Sequence, residues 1–517
     1  MLMVSGRLPF TSILFERPPD HVASVAEEPS YFTDLRLDQV LESVLAGRSE
    51  YDLRPFFYAP LHDSATVRYR QEVLQDLEDH EVRQCVKSFA EQMHRVRAHL
   101  TGMNKLRDRL YEEGWFLDSA EMYCAAVNSL SEGLNCLPVS SRGFTALRDY
   151  LAAYRQSPGF VSLETEAARL RHELGALRYC MHIRGTRVTV VKYAGEPDYS
   201  LDVEEIFARF KQGAVKDYRV KFANYSSMDH VQAHILQLVA RLFPDVFASL
   251  HRYRANHGSF VDLYVRTFDR EVQFYLAYLE HLDWLRNAGL PFCYPKVSAE
   301  SRAVFAQEAF DLALANTLVP QGLPIVRNDF TLADPERIFV VTGANQGGKT
   351  TFARMFGQLH YFAALGFPVP ARRARLCLPD RIFTHFEKQE DLTTLRGKLE
   401  DELVRVHEIL HEATSRSVVI MNESFTATTL ADALYIGTAV LEQVIEIGSL
   451  CVYVTFVDEL SSLGDTTVSV VATVVPQDPD VRTYKVERKQ ADGRAHAVAL
   501  AHKYGLSYDS LKERVTR

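Results

Sequence analysis

The chain has 517 residues and a formal net charge of −9, with 24% charged, 47% hydrophobic and 11% aromatic residues. That length predicts about three or four domains, and the composition excludes collagenous and low-complexity classes. No uninterrupted apolar run approaches the roughly 18 residues a membrane span needs, and Met1 to Asp20 lacks a cationic segment followed by an apolar core, so a cytoplasmic chain with no membrane partner is expected.

Up to about residue 300 the pattern predicts mostly helix, in amphipathic segments near 81–113, 117–134, 161–178, 226–256 and 262–288, where apolar residues recur at three and four. Seven cysteines (Cys85, Cys124, Cys136, Cys180, Cys293, Cys377 and Cys451) are scattered, odd in number and without C-x-x-C, which suits a reducing compartment and neither a zinc site nor a disulfide framework. The acidic balance argues against non-specific nucleic-acid binding but leaves room for a local basic surface. Candidate patches run from Arg83, Lys87 and Arg95 to Arg109, and from Arg184, Arg187 and Lys192 to Lys221. Within the helical region, Arg187 to Tyr193 alternates with β-branched residues, Ala194 to Asp198 turns, and Tyr218 to Phe222 alternates again, which predicts a small β-containing insertion. After Pro291 the pattern changes to strand and helix alternation, placing a domain boundary near 290–320, in the Pro- and Gly-bearing stretch that ends at Pro324.

The strongest signal follows. Ile338-Phe339-Val340-Val341 predicts a strand, Gly343-Ala344-Asn345-Gln346-Gly347-Gly348-Lys349-Thr350 spells G-x-x-x-x-G-K-[ST], and Thr351 to Leu365 reads as a helix. Strand, glycine-rich turn and helix together set a row of backbone N–H groups and a helix N-terminus around a polyphosphate. This predicts a nucleotide site in which Lys349 reaches the outer phosphates and Thr350 contacts Mg²⁺. Further on, Val418-Val419-Ile420-Met421 predicts a buried parallel strand with Asn422 and Glu423 at its carboxyl end, where open α/β sheets carry their sites. Phosphate-loop ATPases normally place an acidic residue for magnesium there and follow it with a glutamate that activates water. Here the first is the amide Asn422, which still offers a carbonyl oxygen but removes one negative charge beside the cation, an expected cause of weaker magnesium capture and slower turnover.

These motifs in order resemble the ATPase domain of the MutS mismatch-repair family. Thr342 to Thr351 is similar to T-G-P-N-M-G-G-K-S-T, Val326-Arg327-Asn328-Asp329 to the V-P-N-D upstream, Gly366 to Ala371 to G-x-F-V-P-A, and Asp380 to Thr384 to D-x-I-F-T-R, with His385 in place of the arginine. Gly397 to Leu403 lies where that family has S-x-F-x-x-E-M and keeps its glutamate, as Glu402. Asn422 to Asp432 matches D-E-I-G-R-G-T-S-T-x-D in length, with both ends recognisable and the middle changed, and Thr455 to Leu460 aligns with T-H-x-x-E-L, with Phe456 at the histidine. In MutS dimers a serine-bearing signature of this region reaches the partner's nucleotide. The resemblance gives that role to Thr428 or Thr429, for which capping the helix from Leu430 is a second and compatible reading.

A weaker resemblance to the MutS core and lever region covers Asp38-Gln39, Tyr51 to Leu53, Arg70 to Leu74 and Phe268 to Phe274. What the resemblance implies is an α+β multidomain chain: an N-terminal segment 1–30; a mostly helical core and lever domain 31–300, with a reduced clamp-like insertion at about 184–225; and an α/β P-loop ATPase domain of ABC type, 301–517. The family's mismatch-reading and connector domains are not expected. The implied function is an ATP-driven dimeric switch acting on DNA in repair or recombination, with ATP and Mg²⁺ as cofactors. It would dimerise through the ATPase domain, and repair proteins are its expected partners. Lys349 and Glu423 are the expected catalytic residues, Gly343 to Thr351 with Thr428 and Thr429 hold nucleotide, and Thr350 and Asn422 hold the metal. The alternative is a nucleotide-gated scaffold with weak ATPase activity and no direct DNA recognition, which Asn422, Phe456 and the acidic balance favour.

Overall fold

A computed structural model describes residues 10–17, 27–103, 105–106, 108–185, 187–197, 230–387, 397–475 and 477–491. They fall into two compact units that interleave along the chain. One comprises Met1–Phe10, Asp76–Ser140 and Phe144–Asp269, the other Thr11–Gln75, Ser141–Gly143 and Arg270–Arg517. Position in the chain and membership of a unit therefore differ: Thr11–Gln75 belongs with the phosphate loop, whereas a division at residue 300 groups it with the helices.

The first unit is helical. The helices expected over 81–113 and 117–134 are His80–Met103 and Arg109–Cys136, packed side by side, with the break before Arg109 and not after residue 113. The amphipathic period runs through the break, which is why the sequence hides it. The second helix starts because the Asp108 carboxylate accepts the N–H groups of Leu110 (3.0 Å) and Tyr111 (3.1 Å). At the end of the first, a Cβ on Gly102 would come within 2.8 Å of the Trp115 ring. The expected helix 226–256 is likewise two, His230–Leu242 and Pro244–Asn256, bent by 106° where Pro244 interrupts the backbone bonding. Among the described residues no single helix is long and apolar enough to cross a membrane; only that bent pair passes by length and composition. The expected β insertion begins as an antiparallel hairpin, β1 (Tyr179–Arg184) and β2 (Arg187–Lys192), turned at Gly185 with φ 58°. Tyr218 to Phe222 lies outside the described residues.

The second unit carries two sheets. β3 (Lys296–Ser298), β4 (Val304–Ala309), β5 (Asn328–Leu332) and β7 (Arg373–Cys377) form one, in the order β3-β7-β4-β5. The other is built on β6 (Ile338–Gly343), β8 (Ile382–Phe386), β9 (Val418–Asn422), β10 (Leu450–Val454), β11 (Thr467–Val475) and β12 (Asp478–Arg488), in the order β12-β11-β6-β10-β9-β8. Its neighbours are parallel except β11 with β12.

β9 and β10 are buried along their whole length and β6 up to Gly343, which is why their sequences are continuous apolar runs with no alternation. On one face Ile338, Val340, Val419, Met421 and Tyr453 pack with Leu441 and Val444 of the helix Leu430–Ile447 and Val406 of the helix Lys398–Glu412. Each such side chain contributes about 1.5–3 kcal/mol on burial. On the other face lies the helix Lys349–Ala364. It approaches so closely at Gly357 that a Cβ there would stand 2.6 Å from Ile420 Cδ1 and 2.8 Å from Leu35. Its buried Gln358 is satisfied at both ends, accepting the Leu312 N–H at 2.8 Å and donating to Leu35 O and Asp311 Oδ1, each at 2.9 Å.

Candidate functional site

The site forms where β6 and β9, separated by β10, end at the same edge of the sheet. β6 ends at Gly343, whose φ of 103° and close approach to β11 both require glycine: a Cβ would lie 2.6 Å from Ala472 O and 2.9 Å from its N. The loop then folds on itself, with the Gly347 N–H donating to Ala344 O at 3.1 Å, Gln346 at φ 60° and Gly348 at φ 99°. The helix starts at Lys349 without a side-chain cap, and its first intrahelical bond runs from the Phe352 N–H to Gly348 O. The N–H groups of Lys349, Thr350 and Thr351 therefore have no intrahelical acceptor, the arrangement that binds anions at a helix start.

Lys349 is 4% exposed, and its ammonium donates to Gly343 O at 3.0 Å and to Asn345 Oδ1 at 3.1 Å. Burial lowers its pKa, opposed by the Glu423 and Asp458 carboxylates and assisted by the neighbouring Arg482 guanidinium. A buried cation held only by neutral oxygens is a strong attractor for phosphate.

At the end of β9, Asn422 is 7% exposed and its Oδ1 is a buried acceptor without a hydrogen-bond donor among the described residues. Glu423 follows in the left-handed region at φ 54°, fixed by its N–H donating to Val454 O at 2.9 Å. Ser424 shares a 2.9 Å hydrogen bond with His385 Nδ1, and His385 is itself buried. Phe425, also left-handed at φ 62°, donates its N–H to the buried Glu402 carboxylate at 2.8 Å and sinks its ring into the core.

Residues 339–512 match the family model MutS domain V. Over 149 residues the chain is 38% identical to the DNA mismatch repair protein MutS of Zymomonas mobilis, covering 29% of this chain and 17% of that protein. Through this region the chain is similar to the MutS family. It matches less than a fifth of that relative's length.

Within the MutS domain V segment, Thr429 is the N-cap of the helix Leu430–Ile447: its hydroxyl accepts the Asp432 N–H at 3.2 Å and donates to Asp432 Oδ2 at 2.8 Å. Thr428 donates to the same carboxylate oxygen at 3.1 Å. Both hydroxyls thus engage their own chain. Phe456 is 49% exposed just after β10 and cannot supply the hydrogen bond a histidine would make there. The expected closing segment of the domain, Gly493 to Val515, lies outside the described residues.

The contacts of three residues escaped the sequence reading. Glu402 was visible only as a matched glutamate, and its bond to Phe425 was not. Asn328 of the V-R-N-D stretch grips β12, donating to Tyr484 O at 3.2 Å and accepting from the Val486 N–H at 2.8 Å. Arg482, also on β12, donates from Nε to Asn345 O of the phosphate loop at 3.2 Å. No local pattern marked it, because the two residues are 137 positions apart.

The oxygens of Asn422, at the end of β9, and of Thr350, in the first turn of the helix that follows β6, are suited to magnesium in a limited way. Asn422 Oδ1 and the Thr350 hydroxyl are hard oxygen ligands, and the unsatisfied amide oxygen has the character of one, but both are neutral, and divalent affinity rises with ligand charge.

Proposed function

We propose that the second unit binds ATP at Gly343 to Thr351 and hydrolyses it slowly, and that the chain works as an ATP-driven dimeric switch on DNA in repair or recombination. The observation that carries the reading is the buried Lys349 ammonium, held over the glycine-rich loop at the carboxyl end of a parallel sheet, with Glu423 close enough to act on it electrostatically. Lys349 and the loop N–H groups hold the phosphate oxygens; Thr350 and Asn422 offer neutral oxygens to magnesium. When bound, magnesium supplies charge neutralisation at the outer phosphates. Glu423, its backbone fixed against β10, positions and deprotonates the attacking water. Thr428 and Thr429, at the start of a helix beside the site, face the nucleotide of a second copy.

Support for the DNA reading comes from the MutS match and from the β1–β2 hairpin, which carries Arg184, Arg187 and Lys192 together with exposed Tyr179. Phosphate contacts from basic side chains and stacking from aromatics are the means by which such a hairpin would hold DNA. On this reading the helical first unit is a core and lever region with a reduced clamp-like insertion at about 184–225. Repair proteins are the partners it would meet.

A second reading, a nucleotide-gated scaffold of low turnover without direct DNA recognition, is favoured by the amide Asn422 at the strand end, by Phe456 and by the acidic balance. Steady-state ATP hydrolysis with and without duplex, mismatched and branched DNA, with Glu423→Gln as the blank, separates the two. Turnover stimulated by one DNA structure supports the switch and identifies its target. Nucleotide binding with turnover no higher than the blank on every DNA supports the scaffold.

A further inference from the structure

The phosphate loop has a second cation built against it. β12 passes beside the loop: a Cβ on Gly348 would lie 3.6 Å from Tyr484 O and 3.7 Å from Tyr484 Cα. Its course there is fixed. Tyr484 is held in the left-handed region at φ 57°, with Asn328 bonded to the backbone at Tyr484 O and, two residues on, at the Val486 N–H. A non-glycine residue held in that conformation marks a segment whose placement is enforced by its surroundings.

Two residues earlier on the same strand, Arg482 Nε donates to the backbone oxygen of Asn345 at 3.2 Å, while the side-chain oxygen of Asn345 takes the Lys349 ammonium at 3.1 Å. One loop residue thus holds two cations from different elements. They are near enough for the guanidinium to disfavour the protonated form of Lys349. Across the site the strand-end residue is the neutral Asn422, so the protein offers the metal no carboxylate at that position. The positive side of the site is augmented and the negative side reduced.

We propose that Arg482 is a second phosphate-neutralising residue, and that a nucleoside triphosphate binds this loop with little dependence on magnesium. The proposal rests on the nucleotide-binding reading above and deepens it. Arg482 is suited to the role because a planar guanidinium meets phosphate oxygens bidentately. Its bond to Asn345 O sets it at the loop.

The test is equilibrium binding of radiolabelled ATP to the full chain in magnesium and in EDTA, for the wild type, Arg482→Ala, Arg482→Lys and Lys349→Ala. The expected result is a wild-type affinity in EDTA within about threefold of that in magnesium. Arg482→Ala should lose about tenfold in EDTA and clearly less in magnesium, with Arg482→Lys between. A wild-type affinity that falls more than about tenfold in EDTA overturns the proposal and leaves the nucleotide site standing. So does an Arg482→Ala loss that is absent, or equal in both buffers, which marks Arg482 as merely structural. ATP binding in neither buffer, or binding untouched by Lys349→Ala, sinks the nucleotide reading itself and this proposal with it.

Discussion

The ends of β6 and β9 face the same site and are built in opposite ways. At β6 two of the three left-handed positions are glycine, Gly343 and Gly348, and the third, Gln346, is exposed, so the loop reaches its shape at little cost. At β9 the left-handed residues are Glu423 and Phe425, neither of them glycine, and each costs roughly 1–2 kcal/mol in that conformation. The resembling family pattern has glycine where Phe425 stands. The strain persists because three neighbours impose it: Val454 O takes the Glu423 N–H, His385 pairs with Ser424, and Glu402 takes the Phe425 N–H. The loop proposed to bind phosphate is thus unstrained, and the placement of the Glu423 carboxylate rests on packing. Changes at the first end should act on affinity, and changes at the second on turnover or stability.

The largest effect is expected at the first end. Lys349→Ala removes the only cation whose side chain is buried in the loop, and nucleotide affinity should fall by at least about 100-fold, with the free protein as stable as before because burial already disfavours the charge. Calorimetric titration with ATP checks the first part and thermal unfolding without nucleotide the second. An unchanged affinity would show that the phosphate-loop assignment is wrong.

Phe425→Gly sets strain against burial at the second end. Glycine relieves roughly 1–2 kcal/mol of left-handed strain, but deleting a fully buried phenyl ring costs about 3–5 kcal/mol, so burial wins and the variant should be about 2–3 kcal/mol less stable in urea unfolding. A more stable variant would mean that Phe425 is not held by the core. Next comes Glu423→Gln, expected to lower turnover by about 100-fold with ATP affinity within about twofold of wild type, since the amide keeps the shape and loses the base. A matching loss of affinity would break the contrast between the two ends.

The same contrast explains what was legible in the sequence. The β6 end could be read because its shape depends on glycines at fixed spacing within eight residues, and β9 because a strand buried on both faces has no polar position. The break between Met103 and Arg109 was hidden by an amphipathic pattern that continues across it. At Pro244 the proline was in view, but an apolar period on both sides of it suggested one helix. The strained Glu423–Phe425 turn was not legible either, since its cause lies in Glu402, His385 and Val454, each on a different element. Nor was the assignment of Thr11–Gln75 to the unit of the phosphate loop, which depends on long-range packing. Local pattern reports what the backbone must do at one place; it does not report which distant side chain enforces it.

The smallest effect gives the finest comparison. Asn422→Asp keeps the size of the side chain and adds one negative charge at a position 7% exposed, one residue before Glu423. Without metal, that charge faces Glu423 and the incoming phosphates, and repulsion at short range in a partly buried site costs on the order of 1 kcal/mol, so ATP should bind several-fold more weakly in EDTA. With magnesium present the same charge becomes a ligand, the buried oxygen that lacks a donor in Asn422 gains a cation, and affinity should recover or exceed wild type. The ratio of affinities with and without magnesium should therefore rise by about tenfold, roughly 1.4 kcal/mol, in titrations of ATP against the variant in both buffers. The change should convert a site that neutralises phosphate with protein cations into one that relies on metal. An unchanged ratio would place Asn422 outside the metal's reach and leave Glu423 as the only strand-end group acting on the nucleotide.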